Sequence, residues 1–354
     1  MRKIKFKFSF TRLLLSLIVI ALACFVCFCE STILSWFGQN EYISAKHSEF
    51  TVCFFNVGQG DCSLIKYKDI SIVIDAGEKK AGSDLCAELK RLNGNEIDYF
   101  FLTHADSDHV GGASQIFDNF DVKNLIRPKM LSSAEAEEYG NPNDYAIHDT
   151  DPYDSAIMSA YEEKCNISYT TVGQFLSFDN FSLEVLYPLS DADLKSSETN
   201  SYSSIIKAEY YETSYLFMAD ADFEMEEKLM EKYGSELDCD VLKVAHHGSK
   251  YASSNEFLEL VTPTYAVISV GDYGIKSYGH AGTELKTRIT NSGAIICQTS
   301  EAGHVVFSGK KLENIFMTFS FPYISVPIVI AVTFFVVAMI WGINIHKFKK
   351  NKRN

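Results

Sequence analysis

The chain has 354 residues, of which 47% are hydrophobic, and a formal charge of −14, which leaves room for one large domain with appendages or for two modest domains. The charge is unevenly placed: the two tails hold ten of the 32 Lys and Arg and none of the 46 Asp and Glu, so the portion between them stands at −24. An exterior that acidic repels polyanions and argues against a broad, processive grip on nucleic acid; most of these carboxylates read as a solvated face.

In chain order, Arg2, Lys3, Lys5, Lys7 and Arg12 precede an uncharged apolar run, 13–29. Residues 1–12 therefore read as a cytoplasmic basic tail and 13–30 as a transmembrane helix. A cleaved signal peptide shares the basic start, yet no small-x-small site closes the run. A lipoprotein reading on Ala21-Leu22-Ala23-Cys24 is opposed by the apolar residues that continue through Cys29. An uncleaved anchor is the expectation. A second apolar stretch, 322–345, is followed by Lys347, Lys349, Lys350, Lys352 and Arg353. Pro322 and Pro327 lie near its start, where proline is tolerated. With 346–354 as a second basic tail, both termini are expected in the cytoplasm, the two helices bind the membrane, and the domain between them, 45–310, is expected outside the cell.

Within that domain, residues 51–57, 63–67 and 70–74 alternate apolar runs with turn signals, a β-meander ending in Asp75-Ala76-Gly77. Leu85, Leu89 and Leu92 recur at helical spacing before Gly94. An apolar strand, 98–102, follows. The acidic, Tyr-, Asn- and Pro-containing segment 128–163 is weakly periodic and is expected to be an inserted loop or lid. Strands are then expected at 167–171, 181–187, 203–210 and 214–218, a helix at 223–233, a strand at 241–244, a helix near 256–260, a strand at 265–270, a helix at 283–291, and strands at 294–298 and 304–307. This order fits an α/β sandwich of two sheets flanked by helices. Outside the first apolar run, Cys53, Cys62, Cys86, Cys165, Cys239 and Cys297 form no C-x-x-C pair and read as small buried hydrophobes.

The chemistry concentrates in Thr103-His104-Ala105-Asp106-Ser107-Asp108-His109, directly after the buried-strand pattern. Two imidazoles and two carboxylates at a loop tip are the ligands that zinc and manganese prefer, and stability alone rarely needs this density. A solvated turn with Asp108 as a helix cap is the plainer alternative. Three further strand ends present similar groups: Asp220 and Asp222, His246 and His247, and Tyr278-Gly279-His280. Taken singly, Asp220 or Asp222 could cap a helix; four such ends together describe a site assembled at one edge of a sandwich.

These residues resemble the metallo-β-lactamase superfamily, and within it the C-terminal domain of the competence protein ComEC and its stand-alone relatives. The resemblance rests on Asn56-Val-Gly-Gln-Gly-Asp61, Ile74-Asp-Ala-Gly77, the 103–112 cluster, Asn200-Ser-Tyr-Ser203, Phe217-Met-Ala-Asp220, Leu242-Lys-Val-Ala-His-His-Gly-Ser249, Ser269-Val-Gly271 and Tyr278-Gly-His280. It covers about residues 50–308. It implies a four-layer αββα sandwich flanked here by the two membrane helices. By it, His104, Asp106, Asp108 and His109 would bind one or two divalent ions, zinc or manganese, Asp220 would bridge them, and His246 or His247 would complete the second position. Asp106 stands where the family usually has histidine, and Asn200 or Ser203 stands in place of the third-motif histidine; the oxygen-rich set tilts the choice toward manganese. Asp75 would orient the cluster, and Gln59 and Asp61 would support it or meet the substrate. Asp108, Asp220 and His280 would take part in catalysis, with His280 and Lys243 as candidate phosphate contacts, although a lysine inside a strand more often faces solvent. Asn56, Ala219 and Ala281 depart from the family's usual aspartate, glycine and proline. The implied function is a metal-dependent phosphodiesterase or nuclease acting on DNA or an envelope phosphodiester, with partners in DNA uptake or envelope metabolism. Hydrolysis of esters, lactones or β-lactams, and a metal-stabilised binding module without turnover, are the alternatives.

Overall fold

Five consecutive strands open the domain: β1 (Phe50–Phe54), β2 (Ser63–Tyr67), β3 (Ile70–Ile74), β4 (Glu96–Phe101) and β5 (Asp121–Arg127). In this computed structural model the described residues are 15–21, 45–143, 145–194, 198–310, 314–318 and 333. The chain divides into two units, 41–319 and the two ends, 1–40 with 320–354. Of the expected membrane spans, only 15–21 (helical) and Thr333 are described; the rest of 13–30 and 322–345 lies outside the described residues. No helix among the described residues is long and apolar enough to cross a membrane.

The first three strands form the meander that their turn signals foretell, and β3, β4 and β5 then run parallel. Parallel neighbours need crossovers, supplied by α1 (Gly82–Asn93), the short α2 (Ser107–Val110) and α3 (Ala113–Asn119). The segment expected as a loop or lid is instead folded: β6 (Met130–Ser132) and β7 (Ala146–His148) pair in parallel beside α4 (Ser133–Tyr139) and α5 (Asp151–Glu163). The helices form for local reasons. Ser132 and Glu135 make a reciprocal capping box, Pro152 occupies the first turn of α5, and Tyr153, Ala156, Ile157 and Ala160 bury one face of it. The acidic composition masked that periodicity. β8 (Asn166–Tyr169) then joins β5 in parallel.

The second sheet follows without interruption: β9 (Phe175–Phe178), β10 (Phe181–Tyr187), β11 (Ile205–Tyr210) and β12 (Thr213–Phe217) run antiparallel. β13 (Val241–Lys243), β14 (Tyr265–Ile268) and β15 (Ile295–Gln298) continue from β12 in parallel. Their crossovers are α6 (Phe223–Tyr233), α7 (Asn255–Val261), α8 (Asp272–Ser277) and α9 (Thr283–Asn291). β16 (His304–Ser308) returns to pair with β1, and β17 (Asn314–Thr318) closes that edge.

Side-chain alternation along the strands divides the apolar residues into three layers. Cys53, Leu64, Val73 and Phe100 pack on α1, α3 and α5. Val52, Phe54, Ile65, Ile72 and Phe101 meet Tyr215, Phe217, Val241 and Val267 between the sheets. Leu216, Leu242, Ala266 and Ile268 pack on α6, α7 and α9. Both sheets are covered on both faces, which is the helix–sheet–sheet–helix sandwich and explains why the parallel strands read as continuous apolar runs. All six described cysteines outside the chain ends carry free thiols, five of them buried.

Candidate metal centre

Within each parallel block the C-terminal strand ends lie at one edge, and the loops leaving them carry the polar residues of the sequence motifs. The loop after β3 supplies Asp75, that after β4 supplies His104 to His109, and those after β12 and β13 supply Asp220, His246 and His247. The ambiguity between Asp220 and Asp222 resolves at α6. Asp222 caps it by accepting from the Met225 backbone N–H at 3.0 Å, which leaves the Asp220 carboxylate for the centre.

His104 and His109 are fully buried, His247 is 1% exposed and Asp220 is 3% exposed. The plain turn reading of the cluster therefore fails: Asp108 does not cap a helix, and its carboxylate lies 3.2 Å from His247 Nε2. Asp61, His109, Asp220 and His247 each offer a ligand atom within 4.8 Å of the others. The orientation of the rings is fixed from behind. His109 Nδ1 is 2.8 Å from Asp75 Oδ2, and Asp75 also accepts from the Thr103 N–H and hydroxyl, both at 2.8 Å. His247 Nδ1 is 3.0 Å from the Ser269 carbonyl, which can only accept. In the neutral tautomer that these two acceptors favour, each imidazole turns an unprotonated Nε2 inward, and these atoms lie 3.3 Å apart.

Asp220 spans two clusters of donors. Its Oδ1 is 3.2 Å from His109 Nε2 and 3.6 Å from His247 Nε2, while its Oδ2 is 3.9 Å from His104 Nε2 and 3.7 Å from His246 Nε2. Asp106 reaches the second cluster, 3.8 Å from His104 Nε2. His104 Nε2, Asp220 Oδ1 and Asp61 Oδ1 are buried without a hydrogen-bond partner. Acceptors that converge unsatisfied fit a cation, and imidazole with carboxylate fits a borderline divalent ion. The field agrees. Burial disfavours a charged imidazole at His109, yet Asp220 and Asp75 outweigh it and hold the ring well above its ordinary pKa. Burial likewise would raise Asp220, but His247 and His109 pull it well below the carboxylate range. His104, buried and beside His109, is pushed down and stays neutral.

Residues 55–272 match the Metallo-beta-lactamase superfamily. The chain belongs to the metallo-β-lactamase superfamily. It is 26% identical over 286 residues to ComE operon protein 3 of Bacillus subtilis, covering 81% of this chain and 33% of that one. It is 26% identical over 261 residues to competence protein ComA of Neisseria gonorrhoeae, covering 73% of this chain and 32% of that one. The chain thus spans about a third of the length of these curated relatives. Among solved structures it is similar to CmlA, a diiron β-hydroxylase from Streptomyces venezuelae, with 14% identity, a TM-score of 0.48 and coverage of 74% and 54% of the two chains.

Against the superfamily pattern, several residues sit otherwise than expected. Lys243 does not face solvent. It is 3% exposed, and its Nζ lies 2.7 Å from Asp61 Oδ2 and donates to the Val244 carbonyl at 2.9 Å, because β13 is covered on both faces. Asp61, expected as a supporting or substrate residue, joins the ligand cluster, and its Oδ1 also lies 3.7 Å from His247 Nδ1. Burial would raise its pKa, but Lys243, His247 and His109 lower it. Gln59 is buried under α8, where a side chain at Gly274 would collide with it, and so serves to seat that helix. Asn200 Oδ1 and Ser203 Oγ are buried without partners, and no hydrogen bond or ion pair among the described residues ties them to the cluster; the tie runs through Ser204, whose N–H donates to the Thr103 carbonyl at 3.0 Å. His280 stands at the mouth, its ring 5.6 Å from that of His246 and 6.4 Å from that of His247. Burial, His246 and His247 push its pKa down to about 4, so it offers a neutral donor and acceptor rather than a positive charge. Ala219, in place of the family's glycine, adopts a left-handed φ of 44°. Thr103 and Ser269, which hold the rings from behind, carry no sequence signal for that role beyond their place in the motifs.

Proposed function

We propose that the chain is a membrane-anchored phosphodiesterase whose domain, 45–310 with its 128–163 insertion, lies outside the cytoplasm and whose two termini lie within it. The observation that carries the reading is the convergence of the His109 and His247 Nε2 atoms on Asp220 Oδ1 and of the His104 and His246 Nε2 atoms on its Oδ2. His109, Asp108, Asp61 and His247 would hold one divalent ion, His104, Asp106 and His246 a second, and Asp220 both. Manganese fits the oxygen-rich set and zinc the imidazoles. Such an ion supplies a Lewis acid for a phosphoryl oxygen and lowers the pKa of water at the site.

The side chains do the rest. Asp108, on the open side of the cluster, can orient attacking water by accepting its hydrogen bond; burial would raise its pKa, but the His247 contact and His109 lower it, so the carboxylate is ionised. Neutral His280 can donate to a phosphate oxygen at the mouth. The likeness to competence proteins supports a nucleic acid phosphodiester as substrate and partners in DNA uptake, with envelope metabolism as the other setting.

The test is hydrolysis of bis(p-nitrophenyl) phosphate and of DNA by the purified full-length chain with manganese or zinc, beside Asp220→Ala. Metal-dependent turnover that vanishes in the variant is expected. Tight metal binding with no phosphodiester cleaved would overturn the reading.

A further inference from the structure

Tyr251 and Tyr278 are each 61% exposed and Tyr273 is 54% exposed, unusual for large aromatic side chains in a domain whose other rings are mostly buried. Tyr251 and Tyr278 line a cleft of about 420 Å³, together with Ser249, Lys250, His280 and Thr283. The cleft leads to the metal centre. Tyr273 packs edge-on against Tyr278 at 5.5 Å, Tyr278 lies 5.6 Å from His280, His280 lies 5.6 Å from His246, and His246 Nε2 is 3.7 Å from Asp220.

These rings are exposed, but the backbone that carries them is held. The loop bearing Tyr251 is fixed on both sides: Glu226 accepts from the Ser253 and Ser254 N–H groups at 2.5 and 2.9 Å, while Arg288 donates to the carbonyls of Lys250, Ala252 and Ser253. The helix bearing Tyr273, α8, is seated on Gly58 and Gln59, with Gly271 and Gly274 allowing the close approach. Ordered aromatic faces open to solvent beside a reaction centre serve to stack planar groups.

We propose that Tyr251, Tyr273 and Tyr278 form a stacking platform for unpaired bases, so that the site takes a single nucleic acid strand in preference to a duplex. The inference rests on the phosphodiesterase reading and narrows its substrate. Lys250 and Glu284 line the cleft with opposite charges, and the domain is acidic, so phosphate attraction is weak and stacking supplies the grip. A duplex hides its base faces. The Lys250 ammonium lies 4.9 Å above one face of the Tyr251 ring, so a base would stack on the opposite face with a cation close by; a strand of alternating phosphates and bases matches that pair better than a neutral sugar polymer does.

The experiment uses the full-length chain, oligothymidylate, the same strand annealed to its complement, an abasic strand of equal length and poly(glycerol phosphate). Binding is read by fluorescence anisotropy with a chelator present, so that strands are held but not cut; cleavage is read with manganese added. Oligothymidylate is expected to bind about tenfold to a hundredfold more tightly than the abasic strand. Tyr251→Ala and Tyr278→Ala each remove about tenfold of that preference, and Tyr278→Phe keeps it. Equal binding of abasic and base-bearing strands, tighter binding of the duplex, or equal binding of poly(glycerol phosphate) overturns the platform. Equal cleavage of abasic and base-bearing strands also overturns it while leaving the phosphodiesterase reading intact. Base-dependent binding without cleavage of any strand upholds the platform and overturns the phosphodiesterase.

Discussion

His109 Nε2 and His247 Nε2 face each other across 3.3 Å, and each ring is fixed by a different acceptor behind it, Asp75 and the Ser269 carbonyl. In the tautomer those acceptors favour, two lone pairs meet at that distance and repel unless a proton or a cation lies between or beside them. The site is therefore built to hold charge, and the residues behind the rings govern how well.

Asp75→Asn tests this. An amide nitrogen turned toward His109 Nδ1 donates where the carboxylate accepted, which favours the wrong tautomer and blocks the inward Nε2. Metal affinity is expected to fall by about tenfold to a hundredfold with the fold retained, as measured by competition with a chromogenic chelator and by far-UV circular dichroism. Unchanged affinity would show that Asp75 does not orient the ring.

The buried pair of Lys243 and Asp61 predicts an asymmetric pattern in stability. Lys243→Met leaves a buried carboxylate without its partner and should cost about 3–5 kcal/mol in urea denaturation. The double variant with Asp61→Asn should recover much of that loss. Equal losses in the single and double variants would contradict the pairing.

Ala219 holds a left-handed φ of 44° immediately before Asp220. Ala219→Gly removes the steric cost of a Cβ there and should stabilise the fold by about 1 kcal/mol, read as a shift in denaturation midpoint. A destabilised variant would show that the alanine methyl contributes packing that outweighs the strain.

Glu226 is buried beneath the Tyr251 loop, and burial pushes its pKa up to about 7 from 4.5. Because the folded value is the higher one, its protonated form is favoured by folding: the contribution is full below the unfolded pKa and is lost as pH rises through the folded one. Stability should thus fall by about 2–3 kcal/mol between roughly pH 4.5 and pH 7 on account of this group. Glu226→Gln should flatten that slope in paired denaturation curves across the window. A slope unaltered by the substitution would assign it elsewhere.

Much of this site was legible in the chain. The 103–109 cluster announced itself by density, and the helix expected at 223–233 coincides with α6 (Phe223–Tyr233), because Asp222, Leu229 and Gly234 mark its cap, its buried face and its end. What escaped was set by distant partners. Lys243 sits in a strand covered on both faces, where alternation cannot say which side chain meets solvent, and its partner Asp61 comes from the loop after β1. The choice between His246 and His247 depended on Ser269 in a third loop; the structure buries His247 and leaves the His246 side chain 34% exposed, yet aims both at Asp220. The helices of the 128–163 insertion were hidden by acidic composition, although Tyr153, Ala156, Ile157 and Ala160 carried the period.

The most direct measurement is equilibrium dialysis of the full-length chain and of Asp220→Ala against manganese and against zinc, followed by metal analysis. Asp220 offers one oxygen to each donor cluster, so wild type should retain one or two ions per chain and the variant should lose affinity by at least about a hundredfold while remaining folded. Equal retention by both proteins, or none by a folded wild type, would contradict the account.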